Sequence, residues 1–431
     1  MITNITSQIK IPQAVVLNIT QKIKNVSFFQ KNIKNSFKKT TTEILEIILG
    51  GAINLAASDI HIEPKINEVK IRIRIDGMLQ NIISFEPKIY QELLNRIKLL
   101  SGIKLNITDR PQDGRFSINM NSSIIEIRVS ILPSEYGETI VLRILNPKTL
   151  VEIESLGLRK DLLETFKKEI KKPNGMIIVT GPTGSGKTTT LYAFLKKIQR
   201  PEIKIITIED PIEYHLKGAS QTQVSPKKGY DFASGLQSIM RQDPDVILVG
   251  EIRDLKTAQT ALQAALTGHL VFSTLHTNNA AGTIARLISL GAKVSNIGPA
   301  INMVIAQRLI RKVCKKCGTQ KKISVSELKK IKISLRGFKN IKISENLKIP
   351  QNKGCQYCNF TGFRGRIGIF EAFLIDGGIE EFILKNPSIT ALKRKAIKNG
   401  MVTIQQDGLM KVLEGITTLE EIERITGPIK K

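Results

Sequence analysis

Eight residues constrain this chain more than any others: Gly181-Pro182-Thr183-Gly184-Ser185-Gly186-Lys187-Thr188 fits G-x-x-x-x-G-K-[ST]. An apolar run over 176–180 precedes them and a helical pattern starts near Lys187, so the segment reads as strand, loop, helix. Glycines let such a loop turn tightly and aim its N–H groups at phosphate oxygens, while the helix N-terminus adds its positive dipole end. This Walker A chemistry assigns Lys187 to the β- and γ-phosphates and the Thr188 hydroxyl to Mg²⁺, with Thr189 continuing the phosphate-binding turn. ATP with Mg²⁺ is the expected ligand.

The loop needs a sheet to carry it. Beyond about residue 150, apolar runs at 176–180, 203–208, 246–249 and 270–274 alternate with helical patterns, as strands covered on both faces do. The earlier part has another rhythm. Thr40 and Glu43 form a capping box that opens an apolar helix to about residue 57. Ile71, Ile73 and Ile75 alternate with Arg72 and Arg74 and end at an Asp76-Gly77 hairpin turn. A helix over 90–101 and strands over 116–120, 124–131 and 139–145 follow.

The expectation is an α/β chain with five parts, within what 431 residues allow. Residues 1–38 keep no period and read as a flexible basic arm. An α+β unit spans 39–147, the P-loop core 148–310, a four-cysteine subdomain 311–366, and a helical region 367–431. No stretch reaches the roughly 18 apolar residues of a membrane span, and the N-terminus lacks an export signal, so the chain reads as soluble and cytoplasmic.

The net charge of +27 has three readings: a nucleic-acid partner, an anionic lipid surface, or a genome rich in Lys codons. Basic residues concentrate over 1–40 and 308–353. With no Trp and no aromatic-basic interleaving, the stacking platforms that single strands use are not evident, which makes nucleic acid the least favoured of the three.

Phosphoryl transfer to water also needs a group to orient that water and positive charge for the transition state. Acids that follow apolar strands are the candidates: Glu209, Asp210 and Glu213 after one strand, Glu251 after another. Where a magnesium-binding Asp ordinarily ends the second strand, Gly250 stands, with Glu251 next to it. Such acids can also simply cap helices, but the carboxyl edge of a sheet is where ligands bind. His269 and His276 bracket one apolar strand; they are either functional or satisfied polar strand ends.

All four cysteines fall in two C-x-x-C knuckles, Cys314/Cys317 and Cys355/Cys358. Two knuckles suit a closed tetrahedral Zn²⁺ site, and a cytosolic setting disfavours disulfides. The competing reading, a thioredoxin-like redox pair, needs no second knuckle, and the 37-residue spacer exceeds the usual ribbon spacing.

Taken in order, Ser58-Asp-Ile-His-Ile-Glu-Pro64, Arg110-Pro-Gln-Asp-Gly-Arg115, the P-loop, the acids at 209–213, Gly250-Glu251, the histidine box and the cysteine pairs with Thr361-Gly-Phe-Arg-Gly-Arg366 resemble the secretion and pilus-assembly ATPases of type II secretion and type IV pilus systems. The resemblance covers about residues 40–425. It implies a RecA-like motor domain preceded by an α+β, PAS-like domain, assembled as a homo-hexamer that hydrolyses ATP at the inner membrane beside platform proteins. It also implies that Glu251 acts on the attacking water, that His269 and His276 sense the γ-phosphate, and that Arg115 and Arg128 reach the phosphates. Arg72, Arg74 and Arg143 are alternatives for that last role. Assembly-type members usually carry a further N-terminal domain where only the short basic arm stands here, and three readings of that arm are open: a contact for anionic lipid, a contact for a shortened partner, or a degenerate remnant. The rival readings are a pilus-retraction motor, a type that looks to lack paired cysteines, and a nucleic-acid translocase.

Overall fold

The computed structural model describes residues 8–120, 123–147, 150–338 and 343–429. Residues 1–7 of the expected arm, 148–149 at the expected domain boundary, 339–342 in the expected cysteine subdomain and 430–431 lie outside them. Contacts divide the chain into two units. The first runs to position 149 and includes Cys314–Gly318 and Asn352–Arg364; the second holds Leu150–Val313, Thr319–Gln351 and the chain from Gly365 onward. Both cysteine knuckles therefore cluster with the amino-terminal unit, while the chain between them, expected to share a subdomain with them, belongs to the other.

In the first unit the elements are β1 (Gln8–Lys10), α1 (Gln13–Lys22), α2 (Val26–Ser36), α3 (Thr41–Asn54), β2 (Asp59–Pro64), β3 (Val69–Ile75), β4 (Met78–Phe85), α4 (Pro87–Leu100), β5 (Gln112–Met120), β6 (Ser123–Ser134) and β7 (Gly137–Leu145). Among the described residues they form a seven-stranded sheet in the order β1-β5-β6-β7-β2-β3-β4. The Thr40/Glu43 capping box is present with both of its bonds. Asp76 and Gly77 both take positive φ between β3 and β4, as a tight hairpin turn requires.

Residues 8–36, read from the sequence as a flexible arm, are instead folded. β1 pairs parallel with β5, and Ile9, Ile11, Val16, Ile19, Ile23, Phe29 and Ile33 are buried. Gly50 and Gly51 of α3 provide the seat: a Cβ on Gly51 would stand 2.3 Å from the Phe29 ring, and one on Gly50 2.5 Å from Ile19. Two side-chain-free positions in one helix let α1 and α2 pack close against it.

The second unit begins with α5 (Lys160–Glu169), β8 (Gly175–Thr180), α6 (Lys187–Ile198), β9 (Ile205–Glu209), β10 (Ala219–Gln223), α7 (Phe232–Met240), β11 (Val246–Val249), α8 (Leu255–Leu266), β12 (Leu270–Leu275), α9 (Ala280–Ser289), α10 (Val294–Ala300) and β13 (Ile301–Val313). A two-stranded ladder of β14 (Thr319–Lys322) and β15 (Lys348–Gln351) flanks α11 (Val325–Ser334) in sequence. β16 (Phe363–Leu374) and helices α12 (Gly377–Leu384), α13 (Ile389–Lys398), α14 (Ile404–Leu413) and α15 (Leu419–Thr426) complete it. The described strands form a sheet in the order β10-β9-β11-β12-β8-β13-β16, parallel from β10 through β13. Successive residues feed opposite cores: Met176, Ile178, Ile247 and Val271 face one, Ile177, Val179, Leu248 and Phe272 the other. That double burial is why these strands read as unbroken apolar runs.

Candidate nucleotide site and metal centre

The phosphate loop leaves β8, an inner strand, at its carboxyl end and enters α6. Gly186 takes φ +89 at the helix start, and a Cβ on Gly181 would stand 2.6 Å from the Gln307 carbonyl oxygen, so the loop lies directly against β13. The Ser185 hydroxyl is buried without a hydrogen-bond partner inside this turn. Lys187 Nζ donates to the carbonyls of Gly181 (2.9 Å) and Pro182 (3.2 Å). Pro182, Thr183 and Gly184 are exposed at the loop crest, and Thr188 and Thr189 are half-buried in the first helical turn. Burial pushes the Lys187 ammonium below its usual range, and Glu251 holds it up against that. A buried orphan hydroxyl, a lysine turned onto its own loop and a helix N-terminus fit a phosphate chain.

Glu251 follows β11 and His276 follows β12, the two strand ends next in order from the loop. Glu251 Oε1 is paired with the Arg253 guanidinium, and its Oε2 lies 3.6 Å from His276 Nε2. Gly250 keeps that strand end narrow: a Cβ there would come within 3.2 Å of the Ile208 carbonyl. Burial first, then the Lys187 charge, lower the His276 pKa, while Glu251 raises it. Thr180, the last residue of β8, ties the His276 loop to the phosphate loop. Its Oγ1 accepts from Thr277 N–H (2.8 Å) and lies 2.8 Å from Thr277 Oγ1.

The other sequence candidates separate. Glu209 is 4% exposed, and its carboxylate accepts from Tyr192 (2.5 Å), Thr207 (2.6 Å) and Gln221 (3.1 Å), which leaves it occupied inside the unit. Asp210 is exposed and acts on Arg253; Glu213 is half-buried and acts on Lys187. His269 precedes β12, its carbonyl accepting from Gly175 N–H (3.1 Å) at the start of β8, and its Nδ1 lies 3.0 Å from the Ala264 carbonyl. A strand's length, about 20 Å, separates it from His276 and the phosphate loop, so the expected phosphate-sensing position is not where the structure puts His269. Arg253, Thr180 and Thr277 are not among the residues singled out in the sequence, although each lies within two residues of one that is: Glu251, Gly181 and His276.

In the first unit, Arg115 on β5 is directly opposite Arg128 on β6, which is opposite Arg143 on β7. The row continues through Asp59 on β2 to Arg74 on β3. Asp59 takes the guanidinium groups of Arg143 (3.2 Å) and Arg74 (3.3 Å), and Arg128 lies 3.8 Å from Glu126. Arg115 and Arg128 are thus neighbours at the end of the row away from Asp59.

The four cysteine sulfurs all lie within 4.8 Å of one another. Cys314 to Cys355 is 4.0 Å, Cys317 to Cys358 3.7 Å and Cys355 to Cys358 3.8 Å. Sulfurs at tetrahedral corners around zinc stand about 3.8 Å apart, whereas a disulfide needs about 2.05 Å, so the set fits one metal ion. The N–H groups of Cys355 (3.2 Å) and Gly362 (3.3 Å) point at Cys358 Sγ, as donors that steady a thiolate. Asn359, in the left-handed conformation after the knuckle, accepts from Val26 N–H (2.8 Å) at the start of α2.

A parallel sheet with a phosphate loop after an inner strand, and a carboxylate and an imidazole on the next strand ends, defines a RecA-like P-loop ATPase. Over residues 35–424 the chain matches the family described as type II/IV secretion system protein. It belongs to that family and is an ATP hydrolase. It is 43% identical to the type II secretion system ATPase E of Vibrio cholerae, covering 89% of this chain and 75% of that one. It is 42% identical to the type IV pilus assembly ATPase PilB of Thermus thermophilus, covering 85% of this chain and 41% of that one. Among solved structures, the pilus retraction motor PilT with bound ADP aligns at TM-score 0.59 and 27% identity, covering 88% and 96% of the two chains. The Legionella pneumophila ATPase DotB shares the fold at TM-score 0.64 and 23% identity, covering 90% and 96%.

Proposed function

We propose that this chain is a homo-hexameric motor on the cytoplasmic face of the inner membrane, using ATP hydrolysis to power pilus or pseudopilus assembly or type II secretion. The observation that carries this reading is the convergence of Lys187, Glu251 and His276 at one sheet edge, in a chain more than 40% identical to a secretion ATPase and a pilus-assembly ATPase. Lys187 and the loop amides bind the phosphates and Thr188 takes Mg²⁺, which supplies charge neutralisation between them. Glu251, held by Arg253 and steered by His276, orients the attacking water. In this reading Arg115 and Arg128 add positive charge for the transition state. Zn²⁺ in the four-cysteine set is structural, because all four positions are filled by protein.

The lower identity to the retraction motor, 27%, and the four-cysteine set favour assembly or secretion over retraction. The partners are inner-membrane platform proteins, with anionic lipid as a second contact for the basic surface. No helix among the described residues is long and apolar enough to cross a membrane, so attachment is peripheral in this reading.

The test is ATPase rate per chain against oligomer size by light scattering. Turnover should rise with assembly to the hexamer and be stimulated by vesicles containing anionic lipid. A monomer as active as the largest assembly would overturn the ring reading. Stimulation by DNA with a steep salt slope would replace it with a nucleic-acid translocase.

A further inference from the structure

Arg308 is a charged group that none of the roles above uses. β13 pairs parallel with β8, with Ala306 opposite Thr180, so Gln307 and Arg308 run beside the first residues of the phosphate loop. The approach is close: a Cβ on Gly181 would stand 3.1 Å from Arg308 Nη1. On the other side of the loop's base, Gln307 Oε1 accepts from Thr190 (2.7 Å) of α6, which fixes this end of β13 to the phosphate-binding helix.

The guanidinium is half-buried, and its recorded bonds go to neutral acceptors. Nη1 donates to the Gln307 carbonyl (2.9 Å) and Nη2 to the Asn278 carbonyl (2.8 Å), two residues beyond His276. Carbonyls satisfy the donors but do not neutralise a charge. Among the described residues no carboxylate lies within ion-pair distance of it. The acid that acts on it is Glu371, itself buried and already accepting from the N–H groups of Ala280 (3.0 Å) and Ile404 (3.3 Å). Lys187, the other cation of this loop, is close enough for the Arg308 charge to oppose its protonation. Two mutually repelling cations beside amide-lined backbone form a site that an anion completes.

We propose that Arg308 is a further phosphoryl-contacting residue of this site: on nucleotide binding its guanidinium gives up the Asn278 carbonyl for a phosphate oxygen, releasing the loop that carries His276. The inference rests on the nucleotide reading of the phosphate loop. It makes the His276 loop respond to occupancy through a side chain from the opposite flank of β8. Arg308→Lys keeps the charge but loses the two-armed geometry, and Arg308→Gln loses both.

Equilibrium affinities for Mg²⁺-ATP and Mg²⁺-ADP on the assembled full-length protein test this, beside the melting midpoint without nucleotide and amide exchange at 277–279. Arg308→Gln should weaken both nucleotides by about tenfold or more, with Arg308→Lys in between. The unliganded midpoint should stay within about 2 °C of the unsubstituted protein. Nucleotide should speed exchange at 277–279 in the unsubstituted protein but not in Arg308→Gln. Undiminished affinity in Arg308→Gln overturns the proposal. So does weakened affinity that tracks a lowered midpoint equally in both variants, since that is a merely structural clamp. Lys187→Ala separates the two levels: if it too binds normally, the nucleotide reading itself fails, whereas its loss with Arg308→Gln unaffected removes only Arg308.

Discussion

His276 Nε2 lies 3.6 Å from Glu251 Oε2, across the ends of adjacent parallel strands β12 and β11. The same carboxylate is paired through its other oxygen with Arg253. One acid is thus held between an imidazole and a guanidinium at the edge where the phosphate loop opens, with a lattice of hydroxyl bonds behind it: Ser273 Oγ to the Val249 carbonyl (2.9 Å) and Thr274 Oγ1 to the Gly250 carbonyl (2.7 Å). A group held this firmly is suited to orienting a water rather than to wandering in solvent.

Glu251→Gln keeps the size and most of the hydrogen-bonding capacity but loses the charge. ATP affinity should change by less than about threefold, while turnover should fall about 100-fold or more, the range for removing a positioned base. Parallel measurement of nucleotide affinity and single-turnover rate checks it; turnover like that of the unsubstituted protein would remove Glu251 from the chemistry.

Lys187→Ala should act on binding. Its ammonium now bonds carbonyls of its own loop, and losing a charge-assisted contact to phosphate costs about 1.5–3 kcal/mol, or roughly ten- to 150-fold in affinity. Calorimetric titration with Mg²⁺-ADP reads this directly.

The His276 titration has a defined sign. Burial and the Lys187 charge lower its pKa from 6.5, and Glu251 opposes them, so the imidazole is neutral at pH 7. Imidazole NMR should give a midpoint below 6.5, moved up in Lys187→Ala and down in Glu251→Gln. Because the unfolded chain takes the proton at the higher pH, this group's contribution to stability is complete above about 6.5 and declines as pH falls through the folded midpoint. A midpoint above 6.5 in the unsubstituted protein would contradict the geometry.

Tyr192→Phe should cost stability more than binding. It removes the 2.5 Å bond to buried Glu209, leaving Thr207 and Gln221 to satisfy that carboxylate. About 1–3 kcal/mol is expected in denaturant unfolding. Phosphate-loop affinity should change little.

Metal analysis should find one Zn²⁺ per chain, and Cys358→Ser should reduce it to less than about half. Amide exchange at the start of α2 should then rise, because Asn359, which follows Cys358, accepts from Val26 N–H. Full zinc content in Cys358→Ser would dismiss the four-cysteine centre.

Local signals carried much of the fold. The Thr40/Glu43 capping box, the Asp76-Gly77 turn and the strands over 176–180, 246–249 and 270–274 stand where short-range chemistry puts them, because each is decided by residues within one turn or one strand. The arm was illegible for the complementary reason. Its buried positions are spread over one short strand and two short helices, too few in each to show a period, and their partners are Gly50, Gly51 and β5, far along the chain. The site divided similarly. The loop, Glu251 and the cysteines were readable from spacing, whereas His269 and His276 look equivalent in sequence and differ only because a strand has two ends.

By itself the sequence determined that a glycine-rich turn, Lys187 and Thr188 follow an apolar strand, and that four cysteines come in pairs, because these are properties of contiguous residues. Only the tertiary structure decided which acids meet the loop. It buried Glu209 behind Tyr192, set Glu251 against His276, aligned Arg115 with Arg128 across two strands and brought Arg308 to the flank of Gly181. Strand order and register fix such neighbours, and they follow from how whole faces are buried, a sum over distant residues that no local window contains.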